Sequence, residues 1–409
     1  MTPPGGPQRA LLGLACAAFV AIGLPVAALG VAWPTLRADA GRPLGDLGIL
    51  SVLVTVGFAL TALAHGSLMR RLSPGVALAG ASALYAAGCA GFAVATWPSM
   101  VTGAVVLGAA AGELESAINS HVAARHGPRA MNLVHGAFGV GATAGPLAAT
   151  ELLDAGLSPR LVFAAVAVLG VALGVGFATT RRRWAGASRR AGGLPRPVAL
   201  SGRARLLLAA TLVTFLAYVA IETATGQWSY TLLTESRHVD VRTAGWVVSG
   251  FWAALTLGRF GLGVAGRRIT AQRVLDVSIP AAVVVAALLA VGGPVLTAAA
   301  VVASGLCFAG IFPALVTSTP ARVGPERAAP VMGWQLAAGS LGVGLGPALT
   351  GVAVGAVGPG AVGPALVAMA AVLAVAHLVV RRLTTPPEPF ATAAHGDVPT
   401  GGAPRPVGS

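Results

Sequence analysis

Lysine is absent from the 409 residues, so every one of the 27 basic side chains is Arg; only 13 residues are acidic, and charged residues make up 10% of the chain. A soluble domain carries roughly a quarter charged residues, so this composition excludes an ordinary water-soluble globule. Cysteine is scarce as well. Cys16, Cys89 and Cys307 stand far apart, with no Cys-x-x-Cys pair, which excludes a disulfide framework and a thiolate metal site. Each falls in an apolar stretch and reads as a small buried hydrophobe. His121, His126 and His135 lack the helical spacing of metal ligands, so no metal is expected. No Walker pattern and no nucleophile with a base partner is visible, which leaves ATP-driven chemistry and enzymatic catalysis without support. Gly261-Leu-Gly263-Val-Ala-Gly266 fits a dinucleotide fingerprint in letters only, because no strand precedes it. No cofactor is expected.

What the chain has is apolar length. Hydrophobic residues are 56% of the sequence and the mean hydropathy is +0.81. Twelve apolar stretches run over 11–35, 46–68, 75–95, 99–122, 130–153, 161–179, 206–233, 243–265, 274–292, 295–317, 329–352 and 361–380. About 20 such residues cross a bilayer's hydrocarbon core as a helix. The first stretch is followed at once by further spans, so it reads as a transmembrane helix and not as a signal peptide. Alternate connections are Arg-rich. With the amino terminus inside, only Arg37, Arg42, Arg160, Arg237 and Arg242 fall outside, and this asymmetry places both termini in the cytoplasm. The formal charge of +14 therefore reports topology and some attraction to anionic lipid, and nucleic acid is not an expected partner. The absence of Lys beside abundant Ala, Gly and Pro points to GC-rich coding and a bacterial source, hence to the inner (plasma) membrane.

The chain divides at 181–205, an Arg-, Gly- and Pro-rich linker with six spans on either side. The expected units are a short amino-terminal segment 1–10, a six-helix unit 11–180, the linker, a second six-helix unit 206–383 and a disordered tail 384–409. The units resemble each other. At one constant offset Gly48, Gly66, Arg70 and Arg71 match Gly245, Gly263, Arg267 and Arg268; at a second, Met131, Gly141, Gly145 and Pro146 match Met332, Gly342, Gly346 and Pro347. Span two thus corresponds to span eight and span five to span eleven, the pattern of a parallel repeat.

With these landmarks the chain resembles the major facilitator superfamily of secondary transporters. Gly66-Ser-Leu-Met-Arg70-Arg71-Leu-Ser-Pro-Gly75 is similar to the signature loop between spans two and three, with Arg70 about where an acid is usual. The run from Gly258-Arg259 to Arg267-Arg268 is similar to its counterpart between spans eight and nine. Glu115-Ser-Ala-Ile-Asn119 with Met131-Asn132-Leu-Val-His135-Gly136-Ala-Phe-Gly139-Val-Gly141 resembles spans four and five of the fucose-permease-like sugar symporters. That resemblance implies substrate and proton contacts at Glu115 and Asn119. Other members carry an acid on span one, and this chain has none between Leu11 and Leu36. Gly141-x-x-x-Gly145-Pro146 resembles the core of a span-five motif of antiporters; its recurrence at Gly342-x-x-x-Gly346-Pro347 equally suits close helix packing.

Ionisable groups inside hydrocarbon mark candidate pathways. Glu113, Glu115 and Glu222 qualify. Positions two apart on a helix point about 200° away from each other, so Glu113 and Glu115 cannot share a narrow cavity. Glu115 lies on one face with Asn119, a pair suited to hydroxyls and a proton; the alternative puts Glu113 inward, or one of the two in an ion pair with Arg. Tyr218, Glu222 and Thr225 share a face of span seven, with Gln227 and Trp228 following. A carboxyl in a low-dielectric site can follow a proton gradient, and an aromatic beside polar groups suits a sugar ring. The alternative for Glu222 is a buried acid held neutral by a neighbour. Trp334 and Gln335 on span eleven are further cavity candidates. His135 either relays protons or bonds Asn132 or the backbone, and Arg259 either neutralises an acid or snorkels. Trp33 and Trp252 read as lipid-facing or packing residues.

The expected protein is an all-α, twelve-helix membrane protein of two parallel-repeat six-helix units. It is expected to be a monomer that moves a small polar solute such as a sugar by proton-coupled alternating access. The alternatives are a proton antiporter exporting drugs or metabolites and a non-transporting sensor. The topology has a direct check: a green fluorescent protein fused after Ser409 should fluoresce, and alkaline phosphatase at the same place should be inactive. The reverse pattern would overturn the orientation.

Overall fold

A computed structural model describes residues 6–126, 128–184, 202–265 and 269–384. The expected segment 1–10 and linker 181–205 therefore fall partly outside the described residues, as do Gly266, Arg267, Arg268 and nearly all of the tail. Among the described residues every regular element is a helix: α1 (Gly6–Asp39), α2 (Leu47–Leu68), α3 (Pro74–Val94), α4 (Trp97–Arg125), α5 (Pro128–Asp154), α6 (Arg160–Thr180), α7 (Gly202–Thr231), α8 (Val241–Ala265), α9 (Ala271–Val291), α10a (Pro294–Ala309), α10b (Ile311–Val323), α11 (Pro325–Val357) and α12 (Val362–Leu383). Hydrocarbon offers backbone groups no partners, so each span satisfies its own N–H and C=O groups as a helix.

Among the described residues, eleven helical stretches are long and apolar enough to cross a membrane, α10a and α10b together making one. The remaining helix, α5, is as long as its neighbours at 27 residues. It carries Asn132, His135, Glu151 and Asp154, which dilute its apolar character. The helices correspond one for one to the twelve apolar stretches of the sequence. Several run further than their apolar cores, and the tenth is broken at Gly310. Gly324 and Gly358 bracket α11 at φ +85° and +89°, a left-handed conformation that favours glycine.

Packing repeats along the chain. α1 lies on α5, α2 on α4 and α3 on α6; in the same order α7 lies on α11, α8 on α10a and α9 on α12. The Gly-x-x-x-Gly-Pro pair explains the first of these contacts twice. A Cβ on Gly141 or Gly145 would run into the backbone carbonyls of Val20 and Leu24 on α1, and one on Gly342 or Gly346 into those of Leu216 and Ala220 on α7. Without a hydrophobic force between helices in lipid, such backbone approach is what holds them. The motif is thus a packing device in both places.

Between the first six helices and the last six, contact is concentrated away from the termini. Gly48 of α2 sits against Ala348 of α11, Gly245 of α8 against Thr150 of α5, and Gly30 of α1 against the backbone of Gln227. Polar contacts close the same end. Arg242 Nη1 lies 3.5 Å from Asp154 and its Nη2 3.9 Å from Glu151; Trp246 Nε1 donates to Glu151 at 3.0 Å; Arg37 lies 3.4 Å from Glu235. The other Arg residues of this end are tied too: Arg42 to Asp46 at 2.6 Å, Arg160 to Asp39 at 3.8 Å, and Arg237 to the carbonyls of Leu289 and Ala290 at 3.1 and 2.9 Å.

Toward the termini the two sets part. On α5, Gly139 and Gly136 still meet Thr256 and Phe260 of α8. One turn nearer the termini on the same face, Asn132 and His135 are exposed, as are Arg259 and Phe260 opposite them. Leu63 on α2 is 83% exposed and Trp334 on α11 51% exposed. The molecule is closed at the far end and open as a vestibule on the side of its termini.

Two outcomes follow from this packing. Gly145→Val and Gly346→Val should each destabilise the protein by about 1–3 kcal/mol through overpacking, seen as a lower unfolding temperature in detergent; Gly13→Val, where a Cβ meets nothing within 4 Å, should not. In a cysteine-free background, Asn132→Cys and His135→Cys should react with an impermeant maleimide reaching the side of the termini, and Thr150→Cys should not. Equal labelling of all three would contradict the open vestibule.

Candidate functional site

Glu222 organises the polar centre of the last six helices. It sits in mid-α7, where a helix lining the contact between the two sets is buried on most sides. Tyr218, one turn earlier, donates its hydroxyl proton to Glu222 Oε2, with the carbonyl of Phe308 on α10a at 3.4 Å as a second acceptor. From α8, Arg259 Nη2 lies 3.4 Å from Oε1 and 3.3 Å from Oε2 of Glu222 and 3.5 Å from the Tyr218 oxygen. Arg259 therefore neutralises the acid. Snorkelling is not its role here, since the guanidinium turns toward α7 and the vestibule.

The pair is unevenly enclosed. Side-chain exposure is 13% for Glu222 and 40% for Arg259, so the carboxylate is the shielded partner and the guanidinium the open one. Only Nη2 of Arg259 has partners among the described residues; Nη1 and Nε remain open as donors. His135 of α5 comes from the other set of helices. It is exposed, lies within electrostatic reach of Arg259, and meets Phe19 edge-on at 5.2 Å between ring centroids. No hydrogen bond links it to Asn132. Tyr218, Glu222, Arg259 and His135 thus meet where the vestibule narrows.

The remaining sequence candidates lie elsewhere. Glu115 is half-buried without a hydrogen bond or ion pair among the described residues, and Asn119 Oδ1 is buried without a partner. The two share a helix face but do not bond each other. Glu113 is buried and faces α2, where His65 Nδ1 lies 3.2 and 3.1 Å from its two oxygens. Gln227 Oε1 accepts from Ser51 of α2 at 2.8 Å, and Trp228, fully buried, donates to the carbonyl of Pro347 at 3.0 Å. Both belong to the closed contact beyond Glu222. Thr225 is buried with its hydroxyl unpartnered. Gln335 is buried and accepts from Thr319 of α10b at 2.9 Å, whereas Trp334 beside it faces the vestibule. Trp33 is a packing residue whose Nε1 donates to the carbonyl of Leu44 at 2.7 Å; Trp252 is buried.

Sequence reasoning missed three arrangements. His65 as partner of Glu113 had no signal beyond a lone His near a span end. Ser51 with Gln227 joins residues far apart in sequence. The clamp of Arg242, Glu151, Asp154 and Trp246 was hinted at only by the scarcity of Arg on that side. Two shallow grooves, of about 570 Å³ beside Leu24, Ala165 and Leu169 and about 480 Å³ beside Leu206, Val213 and Val375, are almost wholly apolar and face outward between helices. They suit lipid chains and not a polar solute.

The comparisons with known proteins place this geometry in a family. The model of the Major Facilitator Superfamily matches residues 14–232 and 210–407. No curated protein matches the sequence at a significant level. Among solved structures, a bacterial homologue of the human lysosomal transporter Spinster, inward-facing and occupied, shares 17% identity over 93% of this chain and 97% of its own, with a TM-score of 0.70. The nucleoside transporter NupG shares 16% identity over 92% and 98%, with a TM-score of 0.69. The transporter FucP in its outward conformation shares 17% over 92% and 99%, with a TM-score of 0.61. Identities this low carry the fold alone. The family model spans both six-helix sets, and this chain belongs to the Major Facilitator Superfamily: it is a multi-pass membrane transporter and not an enzyme.

Proposed function

We propose that the protein is a proton-coupled secondary transporter of a small polar solute, with Glu222 as its coupling carboxyl. The observation that carries this reading is the placement of Glu222 between a phenol and a guanidinium where the two helix sets part. Ionised, the carboxylate holds α8 to α7 through Arg259. Protonated, it becomes a donor and loses that ion pair, and the Tyr218 hydroxyl is free to turn to the Phe308 carbonyl at 3.4 Å. A proton can therefore bias the helix arrangement, by no more than its differential affinity for the two states.

In this reading the six-helix units 11–180 and 206–383 rock about the site. The vestibule opens to the cytoplasm with both termini, and the clamp of Arg242, Glu151 and Asp154 closes the outside. Glu115 and Asn119 offer a carboxyl and an amide to solute hydroxyls, and Trp334 and His135 line the path, while Gln335 stays buried against Thr319. Gln227 and Trp228 become reachable when the outer end opens. A sugar is the solute that the likeness to the fucose-permease-like branch suggests. The protein works as a monomer in the inner membrane. Export as an antiporter loses its sequence argument, because Gly141, Gly145, Gly342 and Gly346 are accounted for by packing.

The test is proton-driven accumulation in proteoliposomes. One unit of pH gradient supports about tenfold accumulation per coupled proton. Glu222→Gln and Glu115→Gln should both abolish accumulation while the proteins remain folded and monodisperse. Full accumulation in both would remove these acids from coupling, and binding without flux would identify a sensor.

A further inference from the structure

The charges around Glu222 specify more than a coupling site. In the resting arrangement Arg259 and Glu222 cancel, with Tyr218 neutral and His135 the remaining titratable group near them. No other charged side chain of α5, α7, α8, α10a, α11 or α12 makes an ion pair with this group among the described residues. When Glu222 takes up a proton, Arg259 loses its counter-charge. When the vestibule closes over it in the transport cycle, an unpaired guanidinium would be enclosed by membrane helices, which is strongly unfavourable. A neutral solute entering with that proton leaves the imbalance in place. An anionic solute removes it.

The geometry is suited to an anion. Arg259 uses only Nη2 toward Glu222 and Tyr218, with 40% of the side chain exposed; when protonation of Glu222 releases Nη2, the end-on fork of Nη1 and Nη2 is free. That fork binds a carboxylate through two parallel hydrogen bonds. His135, exposed on the opposite wall, adds a donor, and a positive one when protonated. The aromatic faces of Phe260, 49% exposed, and Trp334, 51% exposed, border the same opening.

We infer that the transported solute is a small organic acid whose carboxylate takes the place of the Glu222 carboxylate on Arg259, seated on its Nη1–Nη2 fork. The inference rests on the transport reading above and narrows its solute from polar to acidic. Solute and proton enter together: the proton goes from water to a Glu222 oxygen, the solute carboxylate pairs with Arg259, and the site's net charge does not change. Uptake by this route is electroneutral. A neutral sugar entering with a proton would instead carry charge.

The experiment uses purified full-length protein and matched probes: glucose, gluconate and glucuronate, then glycerol, glycerate and lactate. Binding is read by the shift of unfolding temperature in detergent, and transport by internal pH and voltage dyes in proteoliposomes. Acidic members should raise the unfolding temperature and their neutral counterparts should not. Affinity should fall about tenfold per pH unit in the alkaline range, as binding linked to one proton requires. Glu222→Gln should bind the acids with that pH dependence lost. Arg259→Gln should lose binding, and Arg259→Lys, which keeps the charge but not the fork, should retain it weakly. In wild type the acids should acidify the vesicle interior without a voltage signal. Acid binding without flux would keep the inference and remove the transport reading. Proton uptake with voltage, driven by neutral members alone, would overturn the inference and keep the transport reading. No shift from any probe would overturn the assignment of Arg259 as the anchor.

Discussion

A bilayer offers helices no hydrophobic reason to associate, since lipid tails are as apolar as leucine, so the whole assembly depends on how closely backbones approach. Gly141 and Gly145 let α5 reach the carbonyls of Val20 and Leu24, and Gly342 and Gly346 let α11 do the same to α7. A methyl group at any of these positions would separate the helices. The same device, used once in each six-helix set, makes the two sets alike and leaves a contact between them that can open at one end.

That inter-set contact is built differently. At the far end it combines small-residue approach with ion pairs, the exposed Arg242 to Glu151 and Asp154 and the half-buried Arg37 to Glu235. Surface ion pairs of this kind are worth little individually, which suits a closure that must also open. At the narrowing of the vestibule the contact meets the shielded Glu222 and the more open Arg259. A half-shielded ion pair and several more open ones therefore lie at different depths of one interface.

The buried pair of Glu113 and His65 shows why intramembrane acids do not all share one role. Glu113 and Glu115 are two residues apart, and helical geometry sends them in different directions. One finds a partner on α2; the other has none among the described residues. The unpartnered acid keeps its capacity for a ligand or a proton, while Glu113 is already engaged in holding α4 to α2.

Apolar run length and Arg distribution wrote the twelve helices, their order and their expected orientation into the sequence, because both obey the one-dimensional rule of crossing a slab of hydrocarbon. The Gly and Pro landmarks marked the repeat. Helical periodicity also predicted that Tyr218 and Glu222 would meet, since residues four apart share a face. Contacts between distant spans were beyond that reach. Arg259 as the partner of Glu222, His135 beside Arg259, Ser51 on Gln227 and Trp228 on Pro347 depend on which helices are neighbours and how each is rotated. Packing of the whole bundle fixes that rotation, and it decided that Trp228 is buried in the closed contact, that Trp334 faces the vestibule, and that the vestibule opens on the side of the termini.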